Sequence, residues 1–534
     1  MKKLSHIFLM LGLVLFVSAG AVAQTLRDGI YYTDSEQYAK ARNVFKTLLS
    51  QNASAENLYY FGEYYLKLNT ARGDADSDYI DSARTYFSQG IAKDPNYVLN
   101  YVGLGSVAMF NQNKAEAQKH FSTAMSKSGD VDVRYRVGQA YLVHEFKDPV
   151  SAIELLEGVV KKEKKRPELY LTLGDAYLSM NEGGKAAGNY DQALNLDKKS
   201  PKPHIRMGRL YSRARNYTEA LRHFQQAVAA DSSYSPAYRE IGELYYMAQQ
   251  YDKAIANYRK YISKSDEAPE TLYKYGAFLF LNKDYAEAVR VLEPLVTKMN
   301  NPVVYRLIGY SYAEMDSSAL ALQNLETFFA KADQKKIITS DYQYFGKVLA
   351  ANGRTDEGIA MLRQAITGDP KNYQLYDDIG DIYFKGKAYD KAADAYTSLI
   401  SATPEPTAQQ YFTLGRSYYF AKNNAMADST FSKVISMLPE SPSGYLWEAR
   451  TKVRFDPEST KGLAQPYYEK YVELIGKMEN QEPHKKDLVE AYSYLGYYYV
   501  LRKDQAKALE AWNKVLEYDP NNQKAKQGLS LKVK

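Results

Sequence analysis

The chain has 534 residues, 45% hydrophobic and 25% charged, with 69 Lys and Arg against 63 Asp and Glu for a net charge of +6. So thin an excess does not mark a nucleic-acid partner, and the ordinary apolar and charged fractions exclude wholesale disorder. Cysteine is absent, which removes disulfides, cysteine-ligated metals and thiol catalysis, whereas tyrosine reaches 51 residues and needs a positional explanation.

Residues 1–23 read as a secretory signal peptide. Lys2 and Lys3 precede an apolar stretch from Ile7 to Val17, and small residues follow, ending in Ala21-Val22-Ala23. That stretch is shorter than the roughly 20 residues of a spanning helix. Cleavage predicts an exported chain with no membrane span, located in the periplasm, at the outer membrane or outside the cell.

From residue 24 to residue 520 one pattern recurs. Gly174, Gly208, Gly242 and Gly276 stand 34 residues apart, and the series runs from Gly29 to Gly496 with Ala449 in one glycine's place. Twelve residues after the glycine comes a small residue, as at Ala186, Ala220 and Ala254, and four further a bulky one, as at Tyr190, Phe224 and Tyr258. Tyrosine recurs three residues after the glycine (Tyr177, Tyr211, Tyr245) and four before it (Tyr170, Tyr238, Tyr305). Offsets of three, four and seven share one face of a helix, so each unit is a helix pair, and no sustained period-two run signals a strand. Small residues let two antiparallel helices approach, with glycine expected to face alanine and the large residues to flank that contact. Asp94-Pro95, Asp369-Pro370 and Asp519-Pro520 mark ends of second helices, because proline cannot continue them. Two irregularities stand out, an insertion near 70–78 in the second unit and an irregular unit at 442–487 with an extended second helix.

These positions resemble the tetratricopeptide repeat. Tyr492, Leu495-Gly496, Tyr499, Ala508, Trp512 and Pro520 match its pattern, and Leu173-Gly174, Tyr177, Ala186, Tyr190 and Ala193 match nearly as well. The resemblance implies an all-α fold, a solenoid of antiparallel helix pairs wound into a right-handed superhelix. About fourteen repeats would cover residues 24–520, a C-terminal capping helix residues 521–534, and first helices would line the concave groove. A single pair cannot bury its apolar face, so the units must stack.

Variable positions on first helices supply the candidate binding residues. Arg206, Arg209 and Arg213 share one face in the sixth unit and Arg239 follows in the seventh, while Asp377, Asp378 and Asp381 form an acidic cluster. The twelfth and thirteenth units offer Phe412, Arg416, Tyr419, Trp447, Arg450 and Arg454, an aromatic and arginine group of the kind that dominates interfaces. The paired Asn and Lys of a chaperone-tail clamp are missing. No catalytic, cofactor or metal constellation emerges: His120, His204 and His223 lack metal-ligand spacing, and Gly183-Gly184-Lys185 lacks the rest of a phosphate loop. The Asp74–Asp81 insertion begins like a calcium loop, but Tyr79 and Thr85 stand where glycine and glutamate belong. The reading is a non-enzymatic scaffold of the cell envelope that binds partner proteins or peptides and assembles a multi-protein complex, with homo-oligomerisation left open. The alternative is glycan or cell-wall binding through exposed tyrosines.

Overall fold

The computed structural model describes residues 25–72, 77–143, 147–299 and 301–530, and these contain 29 α-helices, three short 3-10 turns and no strand. Residues 1–23 and Asp74 to Asp76 of the insertion lie outside the described residues, as do the last four residues. The helices run in consecutive pairs, and the reasons are local. Asn113, Asp148, Asn216, Asn423 and Asp504 cap second helices, each side chain accepting from the backbone N–H three residues on. Pro167, Pro201, Pro269 and Pro442 start first helices, where the missing N–H is no loss.

The turn between paired helices contains a regularity of conformation that residue types do not carry. Seven residues after the repeat glycine the backbone adopts left-handed φ, as at Gln112 (59°), Asn181 (62°), Arg215 (60°) and Lys422 (62°). Only at Gly353 does glycine fill this place. The conformation ends the first helix and aims the chain into the second, at a cost a Cβ always raises. Replacing Lys422 by glycine should therefore stabilise its unit by up to about 1 kcal/mol, checked by denaturant titration.

Packing inside a pair differs from expectation in one respect. The residue that covers the repeat glycine is the bulky one sixteen positions on, rather than the small one at twelve. A Cβ built at Gly415 would lie 2.7 Å from the Phe431 ring, at Gly242 2.5 Å from Tyr258, and at Gly496 2.6 Å from Trp512. Glycine is required because ring atoms occupy the space a Cβ would need there. In the second pair the covering ring is Phe87, opposite Gly62, so the extra residues lengthen both helices (Ala55–Arg72 and Ser77–Lys93) without changing their packing. The thirteenth pair also departs from expectation. Its second helix, Gln465–Gly476, has only 12 residues, and the extra length lies in the connector 456–464. There Asp456 accepts from the backbone N–H groups of Lys461 and Gly462, which fixes a turn that glycine's φ of 72° permits.

Two compact units result, Met1–Leu307 and Ile308–Lys534. Tyrosine serves their interiors: only Tyr31, Tyr217, Tyr246 and Tyr497 of the 51 are exposed. The first unit closes on itself. The turn after its first helix meets helices about 200 residues later, where Arg239 grips Glu36 at 2.5 and 2.7 Å and Lys202 pairs with Asp34. Tyr31 donates to Asp231 at 2.9 Å, Tyr261 to Glu36 at 2.7 Å, and the Asp266 carboxylate accepts from the Ala39 N–H at 2.6 Å.

Candidate functional site

First helices of neighbouring repeats are tied to one another by side chains about one repeat apart. Arg206 donates to Asp175 at 2.8 Å, Lys274 to Glu243 at 2.9 Å, and Arg209 to Glu240 at 2.6 Å. In the second unit Gln343 donates to Asp378 at 3.0 Å and Tyr310 to Asp341 at 2.7 Å. The result in each unit is a polar wall built from first helices, with the apolar residues turned into the pairs behind it.

Four of the ten candidate residues belong to the first unit, on helices Pro201–Arg213 and Ser235–Met247. Arg206, Arg209 and Arg239 are half-buried and each holds a carboxylate; Arg213 donates to the Leu178 carbonyl and the Asn181 side chain. Arg206, Arg209 and Arg239 also line a cavity of about 700 Å³ inside the unit. Its wall includes Asp34 and Glu36 from the closing turn and Glu63 and Arg136 from the second and fourth pairs. These four are not legible in the sequence, since none occupies a position that stands out within its repeat.

The other six candidates come together in the second unit. Trp447 is the hub, with ring centroids of Tyr419 at 5.2 Å, Phe420 at 5.7 Å, Phe431 at 5.9 Å and Phe412 at 6.3 Å. The guanidinium of Arg450 lies 5.0 Å from the Trp447 ring and that of Arg416 5.4 Å, both within cation–π range. Arg454 stacks on Tyr419 at 3.4 Å. Their charges are not equally available. Arg450 is held by Asp487 and Glu490, each at 2.7 Å, and Arg454 donates to the Tyr419 carbonyl and to Asn424. Arg416 makes no ion pair among the described residues, and its Nε is buried without an acceptor. Each member of the acidic cluster has its own partner: Asp378 pairs with Lys347, Asp381 accepts from Tyr396, and Asp377 from Gln374.

Behind the hub, on the same helix Pro442–Phe455, Glu448 is fully buried beside Lys452, which also pairs with Asp428. Burial pushes the Glu448 carboxyl up to about 8, the neighbouring Asp428 adds to the rise, and Lys452 opposes it. A carboxyl with its folded value above the ordinary 4.5 binds its proton more tightly folded than unfolded. Its stabilising contribution is therefore complete below about pH 4.5 and lost as pH rises through about 8. The second unit should melt a few degrees lower on the alkaline side of this window, and Glu448→Gln should flatten the dependence. An unchanged slope in that variant would assign the effect elsewhere.

His204 and His223 face each other with Nδ1 atoms 3.3 Å apart, both buried, and among the described residues no group of three or more potential ligands converges. No described helix is long and apolar enough to cross a membrane.

Comparisons with known proteins find the tetratricopeptide repeat in this chain. A tetratricopeptide repeat profile matches residues 205–270 and 345–405, and a second one matches residues 489–522. The C-terminal part of a TPR repeat-containing protein from Cytophaga hutchinsonii is 34% identical over 48% of this chain and 100% of its own, with a TM-score of 0.45. A tetratricopeptide repeat protein from Parabacteroides merdae is 17% identical over 47% of this chain and 98% of its own, with a TM-score of 0.32. Yeast Tom70 is 13% identical over 75% of this chain and 95% of its own, with a TM-score of 0.30. No curated protein matches the chain.

Proposed function

Because the chain belongs to the tetratricopeptide repeat family, we propose that it is a non-enzymatic scaffold of the cell envelope that holds partner proteins or peptides on its first-helix walls. The observation that carries the reading is the ladder of first-helix contacts one repeat apart, exemplified by Arg206 with Asp175 and Arg209 with Glu240. Such a wall offers polar groups at regular spacing, backed by rigid pairs, and suits an extended chain or a partner's helix. Arg416 is the anchor of choice in the second unit, since it brings an unpaired guanidinium framed by the Trp447 and Phe384 rings. A partner carboxylate there would recover a hydrogen bond and an ion pair at once. The leader-like residues 1–23 support export, and an array without cysteine relies on packing and non-covalent contacts, with no disulfide, for its stability. The protein reading is preferred to glycan binding because so few tyrosines remain exposed to act as stacking platforms.

Photo-cross-linking in intact envelopes tests this reading. A cross-linker at Tyr419 should capture a specific protein, one at Arg222 on a second helix should not, and Arg416→Ala should reduce the Tyr419 adduct at least tenfold with unchanged melting. Glycan adducts without a protein, or equal capture at both positions, would reject the scaffold. Fractionation tests location separately: a chain retained with its leader in the cytosol would reject export.

A further inference from the structure

Almost every charge on the wall of the first unit's cavity has a partner. Lys67 and Lys202 share Asp34, Arg239 holds Glu36, Arg206 holds Asp175, Arg209 holds Glu240, and Arg166 holds Asp132. Two wall residues are left over, of opposite sign. Glu63, on the helix Ala55–Arg72, makes no hydrogen bond or ion pair among the described residues. Arg136, on the helix Val131–Ala140, reaches only neutral groups, Nη2 donating to the Tyr60 hydroxyl at 3.1 Å and Nη1 to Gln139 at 3.2 Å. Its Nε is buried with no acceptor, and its guanidinium lies 5.6 Å from the Tyr60 ring and 5.4 Å from the Tyr135 ring. Burial raises the Glu63 carboxyl above its ordinary range, with Arg136 and Lys67 pulling the other way from farther than ion-pair distance.

Two unpaired charges in one cavity lose hydration and gain no direct contact in return. A simple anion such as phosphate would match Arg136 and repel Glu63, and a polyamine would do the reverse. Only a molecule carrying both signs answers both residues. We propose that this cavity binds a small zwitterion, an amino acid or a di- or tripeptide with free termini, its ammonium on Glu63 and its carboxylate on Arg136. The volume of about 700 Å³ lies inside the range of small-molecule sites, roughly 300–1,000 Å³. Tyr60, Tyr64 and Tyr135 supply the apolar and ring contacts that the stem of such a molecule needs. The site needs no protein partner and lies in the first unit, whereas Arg416 lies in the second, so either reading can fail without the other.

The test is calorimetric titration of the full chain with L-alanine, dialanine and trialanine, beside N-acetyl-trialanine and trialanine amide. At least one free zwitterion should bind and raise the melting temperature of the first unit. Capping either terminus should weaken trialanine at least tenfold. Glu63→Gln and Arg136→Gln should each do the same with helicity intact, and Arg136→Lys should retain part of the affinity. Absence of heat for all three free zwitterions at millimolar concentration would overturn the proposal. So would equal binding of capped and free peptides, or binding that neither variant changes. Phosphate or spermidine binding that depends on the same two residues and excludes the peptides would overturn it as well.

Discussion

Glu36→Ala should release the first helix pair, seen as faster amide exchange over residues 26–51 and a loss of about 2–3 kcal/mol from the first unit's unfolding free energy. The Glu36 carboxylate closes the unit by accepting from Arg239 at 2.5 and 2.7 Å and from Tyr261 at 2.7 Å. Removing it leaves a guanidinium only about a quarter exposed with Glu240, at 3.2 Å, as its remaining partner. Breaking a well-buried pair from one side costs about 3–5 kcal/mol; the residual exposure and the surviving Glu240 contact place this case lower. Acid should act in the same direction through the neighbouring Asp34. Burial works against its charge, but Lys67 and Lys202 outweigh that and hold the carboxyl well below its ordinary 3.8. Its contribution is thus complete above about pH 3.8 and lost as pH falls toward the lowered value. Charge reversal, with Glu36→Arg and Arg239→Glu combined, should recover part of the loss that either change produces alone. Exchange over residues 26–51 that is unaltered in Glu36→Ala would show that the closure is held by other contacts.

Repeats were legible in the sequence because their core chemistry is periodic, and what remained hidden is what the period does not encode. Gly415 and Phe431 keep their offset because a ring needs a bare backbone beneath it, so the same two residue types recur along the array. The left-handed turn position escaped notice since Gln112, Asn181, Arg215 and Lys422 share a conformation but no chemistry. Arg206 and Arg450 lie on first helices as the pattern implies, yet their carboxylate partners are 31 residues back and 40 residues on, in the preceding and the following repeat, and share no motif with them. Glu36 was farther out of reach. It lies 203 residues from Arg239, and only the path of the whole first unit brings the two together. Glu63 and Arg136, the residues of the proposed zwitterion site, stand out only by lacking a partner of opposite charge, which is a property of three-dimensional neighbourhoods and leaves no trace in a pattern.

Phe431→Ala should unfold the second unit's central repeats at about 3–5 kcal/mol less than the native chain, the largest single change expected there. Phe431 is fully buried, covers Gly415 and stacks on Trp447 at 5.9 Å, so its loss opens a cavity against both helices of its pair and removes one side of the aromatic hub. Gly415→Ala should also destabilise, since its Cβ would stand 2.7 Å from the Phe431 ring and the gain of about 1 kcal/mol in helix propensity cannot offset that overlap. The two changes oppose each other in space. With the ring removed, the added methyl enters the vacated volume, the overlap vanishes and the propensity gain remains. The double variant should therefore be more stable than Phe431→Ala alone, by about 1 kcal/mol, although Gly415→Ala by itself is harmful. A denaturant-unfolding cycle over the four proteins measures this reversal directly. Simple additivity would mean that the glycine and the ring are not coupled, and the steric account of the 34-residue period would then fail at the position where the contact is most open to test.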